Sequence, residues 1–144
     1  MATERQASVV WQGDLMNGSG TIAEVPSGAF GPLDVSWASR AEEPNGKTSP
    51  EELIAAAHAA CYSMAFSHTL AEAGHVAENL DVTASVHFTP AQGGGFEISL
   101  IELEVEGNVP GLPDGEFDEL ARAAEQGCPV SNALRGGVEI RLRL

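Results

Sequence analysis

The sequence predicts an α+β fold in a single domain over residues 1–144, with elements in the order ββ(β)-α-ββ-αα-β. Three observations predict it. Strand-forming runs come in pairs joined by tight turn signals, as in antiparallel hairpins. One long, alanine-rich helical stretch separates the first hairpin from the second. The strands do not alternate one by one with helices, so a doubly wound parallel sheet is not expected.

The elements follow in chain order. Ser8-Val9-Val10-Trp11 reads as a strand, Gly13-Asp14 and Asn17-Gly18 as turns, and Thr21–Val25 as the returning strand. Pro26, Gly28 and Gly31 interrupt the chain; Leu33–Trp37 alternates as a short third strand, and Ala38–Thr48 reads as a polar loop. Ser49-Pro50-Glu51-Glu52 then opens a helix: serine suits the N-cap, proline the first helical position, and the acids the positive end of the dipole. Glu52 stands at the capping-box spacing from Ser49. The run continues without proline or glycine to Glu72, about 24 residues or roughly 36 Å at 1.5 Å per residue. It is apolar on most sides, which predicts a central, buried helix packed on an antiparallel sheet. Val82, Ala84, Val86 and Phe88 alternate in the next strand, and Phe96, Ile98 and Leu100 after the Gly93-Gly94-Gly95 turn. Asp114–Gln126 forms an amphipathic helix stopped by Gly127. Cys128-Pro129 starts a short one reaching Leu134, and Val138–Leu144 closes the fold as a strand.

A net charge of −14 and a pI near 4.4 disfavour nucleic acid and anionic membranes as partners. No apolar run reaches the length of a membrane span, and Met1–Gln12 lacks the basic-then-apolar order of a secretory signal. The expected location is the cytoplasm. There two cysteines are not a structural staple, and Cys61 and Cys128, 67 positions apart, form no C-x-x-C motif. On count alone, inert core cysteines are the default.

Their local settings differ. Cys61 lies mid-helix, with Ala57, His58, Met64 and Ala65 on its face. An apolar setting raises a thiol's pKa, and an unperturbed thiol is only about 3% thiolate at pH 7. Bringing it to about pKa 5.5 takes roughly 4 kcal/mol of differential stabilisation, which a close, partly buried arginine could largely supply. Cys128 falls between a helix stop and a proline helix start, where backbone N–H groups point toward an N-cap. Read alone, this makes Cys128 the more acidic thiol.

The chain has seven basic residues, with Lys47 its sole lysine. Arg40 sits in the stretch before the long helix, where a solvated surface arginine is the default, and Glu51 is first a partner of the helix dipole. His58-x-x-Cys61 puts two possible metal ligands on one helix face, but His68, His75 and His87 are scattered, unlike the tight spacing of a closed zinc site. Phe66 and Met64 are candidates for an apolar pocket wall.

The segment Thr48–Ala65, with Ser49-Pro50-Glu51-Glu52-Leu53 and Ala57-His58-Ala59-Ala60-Cys61, closely resembles the signature helix of the OsmC/Ohr family, the osmotically inducible protein C and organic hydroperoxide resistance proteins. Gly127-Cys128-Pro129-Val130-Ser131 matches the second motif. Val10-Trp11-Gln12-Gly13-Asp14 and Gly18-x-Gly20-Thr21 resemble the OsmC branch. The likeness runs nearly end to end.

That resemblance implies a thiol-dependent peroxidase with no metal, haem or flavin, working on organic hydroperoxides or hydrogen peroxide with an external dithiol of the dihydrolipoamide type. Cys61 would be the peroxidatic cysteine, Cys128 the resolving one, Arg40 the site arginine and Glu51 the carboxylate that orients it. The Ohr branch carries its arginine earlier, and Met16–Thr21 has none here, which points to OsmC proper. The resemblance also implies an intertwined homodimer. Helix geometry agrees with it: ten residues separate Glu51 from Cys61, about 15 Å along one helix, so sites at the subunit interface would pair Glu51 and Arg40 of one chain with Cys61 of the other. The alternatives are a catalytically weak stress-response binding module on the same fold, and an interaction protein using its acidic surface.

Overall fold

The computed structural model describes residues 1–144 and divides into two compact units, Met1–Leu53 and Ile54–Leu144. Their secondary structure is α+β.

In the first unit, strands β1 (Val9–Gln12), β2 (Ser19–Ile22) and β3 (Leu33–Val35) form an antiparallel meander in that order. Trp11 lies opposite Gly20. A Cβ at Gly20 would stand 2.8 Å from the Trp11 ring and 3.0 Å from Val35, so only glycine lets the indole lie across the sheet here. The predicted polar loop over Ala38–Thr48 is corrected at its start: Trp37–Ala41 is a one-turn helix, α1. Ser36 is its N-cap, and Ser36 and Ser39 bond each other's backbone N–H reciprocally, a capping box with serine at the third helical position. That local pairing outweighs the alternation that suggested a strand through Trp37.

Helix α2 spans Pro50–Glu72, as expected. In the second unit it presents a stripe at four-residue spacing, His58, Tyr62, Phe66 and Leu70, all fully buried. The expectation of burial on most sides is corrected: Ala56, Ala57, Ala60 and Met64 are exposed in the single chain. Phe66 is a core residue and Met64 is 72% exposed, so the two do not share a pocket wall.

Strands β4 (Asn79–Pro90) and β5 (Phe96–Asn108) pair as a long antiparallel hairpin. The register shifts between His87 and Phe88. Val86 faces Ile101 while Phe88 faces Ile98, leaving Ser99 as an extra residue in β5. This bulge inverts the side-chain parity. Ile98 and Ile101 therefore lie on the same face, and the buried set beyond the bulge is Ile101, Leu103 and Val105, the opposite parity to Phe96, Ile98 and Leu100. Phe88 and Phe96 stack at 5.0 Å between centroids.

Helix α3 (Glu116–Gly127) and helix α4 (Pro129–Leu134) connect β5 to β6 (Glu139–Arg143). Strand β6 runs parallel to β5, so the sheet β4-β5-β6 is mixed, which corrects the expected antiparallel sheet. Two helices make the connection a crossover, and a crossover returns the chain in the direction it left. The core joins Tyr62, Phe66 and Leu70 of α2, Leu103 and Val105 of β5, Ala121 and Ala124 of α3, and Cys128. The Tyr62 hydroxyl donates to the Ala121 carbonyl at 2.8 Å, and Phe66 meets Phe117 edge-on at 5.2 Å. Burial and the nearby Glu125 and Cys128 keep the Tyr62 phenol protonated far above the ordinary tyrosine range.

Because Phe66 is wholly buried at this junction, Phe66→Ala is expected to lower the unfolding free energy by about 3–5 kcal/mol. Urea unfolding at equal protein concentration measures it as a fall in midpoint at unchanged slope.

Candidate active site

The four residues singled out in the sequence form two pairs, one in each unit. In the first unit, Arg40 on α1 grips Glu51 in the first turn of α2. Nε donates to both carboxylate oxygens, at 3.0 and 3.2 Å, and Nη2 to Oε1 at 2.8 Å. Glu51 is 7% exposed, and the Arg40 side chain remains one-third exposed. A solvated arginine is thus not what the fold makes of Arg40: its guanidinium is gripped by a buried carboxylate through three hydrogen bonds.

A short network of hydrogen bonds holds this pair in place. The Thr48 N–H donates to the Asp34 carbonyl at 3.0 Å, and the Thr48 carbonyl accepts from Ser39 Oγ at 3.0 Å. The Thr48 hydroxyl donates to Glu52 at 2.7 Å, and Ser49 Oγ accepts from the Glu52 N–H at 3.2 Å. These bonds tie the end of β3, helix α1 and the start of α2 together. Arg40 also borders a cleft of about 300 Å³ whose walls include Trp11, Leu15, Ile22, Val35, Trp37 and Leu53, and it is the one charged residue in that lining. Trp11 is held there by its Nε1–H on the Gly13 carbonyl, at 2.9 Å. A larger open cleft of about 810 Å³ between Glu4–Ala7 and Val25–Phe30 contains none of the four residues.

In the second unit, Cys61 and Cys128 are brought side by side as free thiols. Cys61 is partly exposed and Cys128 fully buried. Cys128 ends α3 and caps α4, the position expected of it, yet its sulfur makes no capping bond. Pro129 has no N–H to give, and the next donor, the Val130 N–H, faces the Cys61 sulfur. The first backbone donor of α4 therefore serves Cys61. Burial still pushes the Cys61 thiol up, and its neighbour Cys128 adds to this; the Val130 N–H works in the opposite direction without cancelling them.

One turn before Cys61, His58 is wholly buried, its Nε2 2.7 Å from Ser131 Oγ and its Nδ1 without a hydrogen-bond partner. Its ring is committed to Ser131. No group of three His, Cys, Asp or Glu side chains is arranged to hold a metal ion. Burial lowers the basicity of His58, opposed in part by Glu125. Glu125 itself is buried and paired with Arg135 at 2.9 Å. Sequence reasoning missed Ser131, Glu125 and Arg135. The one available signal was the place of Ser131 in the Gly127–Ser131 motif.

The family model described as OsmC-like protein matches residues 43–143. The chain belongs to the OsmC-like protein family. It is 38% identical over 144 residues to the peroxiredoxin OsmC of Escherichia coli (strain K12), covering 100% of this chain and 99% of that one. The organic hydroperoxide resistance protein of Xanthomonas axonopodis pv. citri (strain 306) is 35% identical over 102 residues, 67% of this chain and 66% of that one. Among solved structures, the organic hydroperoxide resistance protein OhrB of Bacillus subtilis superposes with a TM-score of 0.76 at 30% identity, covering 96% of this chain and 97% of that one. The likeness to OsmC thus spans this OsmC-like chain from end to end, as its N-terminal motifs suggested.

The depressed basicity of His58 has a consequence for stability. The unfolded chain takes up a proton on this imidazole at a higher pH than the folded chain does. Stability is therefore whole above the ordinary histidine range, near 6.5, and falls as the pH drops below it, by at most about 1.4 kcal/mol per pH unit from this group. Urea unfolding at pH 7.5 and 5.5 is expected to show a smaller acid loss in His58→Leu than in the parent.

Proposed function

We propose that this OsmC-like protein is a thiol-dependent peroxidase that reduces organic hydroperoxides through Cys61 and Cys128, in the cytoplasm and without a bound cofactor. The observation that carries the reading is the side-by-side placement of two free thiols, one partly exposed and one buried, from positions 67 residues apart. The names of the relatives, a peroxiredoxin and organic hydroperoxide resistance proteins, support the reaction class. No helix is long and apolar enough to cross a membrane.

The Cys61 thiolate attacks one peroxide oxygen, the O–O bond breaks, and the alcohol leaves with a proton, so that Cys61 becomes a sulfenic acid. The Cys128 thiol displaces water from it to form the disulfide. An external dithiol, of the dihydrolipoamide type, then returns two electrons by exchange and leaves as its own disulfide.

Cys61 as found in one chain is a poor thiolate, because burial pushes its thiol up. A cation is needed, and Arg40, braced by Glu51, is the one we assign. Glu51 lies in the first turn of α2 and Cys61 ten residues further along the same helix. We therefore place the working site in a two-fold dimer, with Arg40 and Glu51 of one subunit serving Cys61 of the other. The exposed alanine face of α2, with Ala56 and Ala60, is thin enough for close approach of a second helix. The apolar cleft beside Arg40 favours alkyl or aryl hydroperoxides over hydrogen peroxide: each methylene buried there is worth about 0.8 kcal/mol, or roughly fourfold.

Peroxide consumption with a dithiol reductant tests the chemistry. Cys61→Ser is expected to abolish turnover, and Cys128→Ser to stop it after one equivalent; equal rates in all three proteins would sink the proposal. Mixed dimers of Cys61→Ser and Arg40→Ala subunits test the sharing. About one working site per mixed dimer is expected, and no recovery of activity counts against residues being contributed across the interface.

A further inference from the structure

Helix α4 is six residues long, and Cys128 at its start makes no side-chain capping bond. So short a helix does not hold itself, and its place is set by what it is tied to. One tie is at its end: Arg135, the C-cap, reaches back to the buried Glu125 of α3 at 2.9 Å. The other comes from α2. Along the buried stripe of α2, the two polar members each reach a different helix. Tyr62 donates to the Ala121 carbonyl of α3, and His58 meets Ser131 of α4 at 2.7 Å. Cys128 is the residue between those two helices, and Cys61 lies between His58 and Tyr62 in the sequence of α2.

A histidine is a costly choice for this stripe. It is fully buried, its Nδ1 has no partner, and its neighbours along the stripe, Tyr62, Phe66 and Leu70, are largely apolar. A leucine would fill much of the same space with no unpaired ring nitrogen, and it would give up the bond to the buried Ser131 hydroxyl. What the imidazole adds is one hydrogen bond, and that bond lands three residues after Cys128 and one after Val130, whose N–H faces the Cys61 sulfur. Ser131 is itself fully buried.

We propose that His58, acting through Ser131, is a positioning residue for the thiol pair: the bond fixes the start of α4 so that the Cys128 sulfur and the Val130 N–H both stay against Cys61. It touches neither reacting sulfur. Without it, α4 keeps its anchor at Arg135 and loses the one beside the thiols. Cys61 would then lose the donor that favours its thiolate, and Cys128 would meet it less often. This role deepens the peroxidase reading, yet it concerns the thiols themselves and is testable without any peroxide.

The experiment uses the full chain with both cysteines, reduced. Iodoacetamide labels Cys61 across a pH series, with peptide mass spectrometry to separate it from Cys128, and diamide, which takes up the two thiol hydrogens, drives closure of the disulfide. Ser131→Ala and His58→Leu are each expected to move the Cys61 labelling midpoint to higher pH, cut its labelling rate at pH 7 by about fivefold to tenfold, and slow closure comparably. Ser131→Thr keeps the hydroxyl and should behave as the parent. The double variant should be no slower than the worse single one, since both act through one bond. A folded Ser131→Ala or His58→Leu protein, by its melting curve, that labels and closes within about twofold of the parent overturns the proposal. So does additivity in the double variant, or a Ser131→Thr protein as impaired as Ser131→Ala. Should one variant fail to fold, the other decides. No peroxide turnover by the parent, with labelling and closure in the variants as expected, would instead fault the peroxidase reading.

Discussion

The second unit depends on one line of side chains, the buried stripe of α2. Phe66 and Leu70 supply its apolar end, against Leu103 and Val105 of β5 and the alanines of α3. Tyr62 and His58 supply its polar end, and each makes a single bond to a different helix. Removing apolar area from water makes the association favourable, but it has no direction. The two polar heads give it one. They choose which turn of α3 and which turn of α4 face α2, and so place Cys128 beside Cys61.

The first unit solves a different problem by local means. Arg40 and Glu51 are eleven residues apart, and the serines and threonine between and before them close the distance. A buried carboxylate orients the guanidinium at the edge of the apolar cleft. Such a fork suits a developing negative charge on oxygen better than a mobile ammonium would. The chain thus holds an oriented cation and a thiol that lacks one, and the peroxidase reading is the chemistry that uses both.

Much of this was legible in the residues. The α2 boundaries follow from serine, proline and two acids at one end and Gly74 at the other. The hairpin of β4 and β5 follows from alternation around three glycines, and Cys128 as the cap of α4 follows from Gly127 and Pro129. Three features were not. The helix α1 hides in a reciprocal serine pair that resembles loop composition. The bulge at Ser99 leaves no mark in the alternation before it, yet reverses every side chain after it. The parallel return of β6 depends on where two helices pack, which strand composition does not encode.

The order of every element except α1, the family, and the four side chains that are candidates for chemistry are written in the residues. Those depend on local propensities and on motifs whose spacing is read along the chain. Packing alone settles which thiol is buried and which meets the backbone donor. From local signals Cys128 stands at a helix start, where backbone donors are expected. In the folded unit its sulfur turns into the core, Pro129 offers no donor, and the Val130 N–H goes to Cys61. Burial and backbone donors act through space on whichever sulfur is nearest, and which one is nearest is settled by packing between residues 67 positions apart.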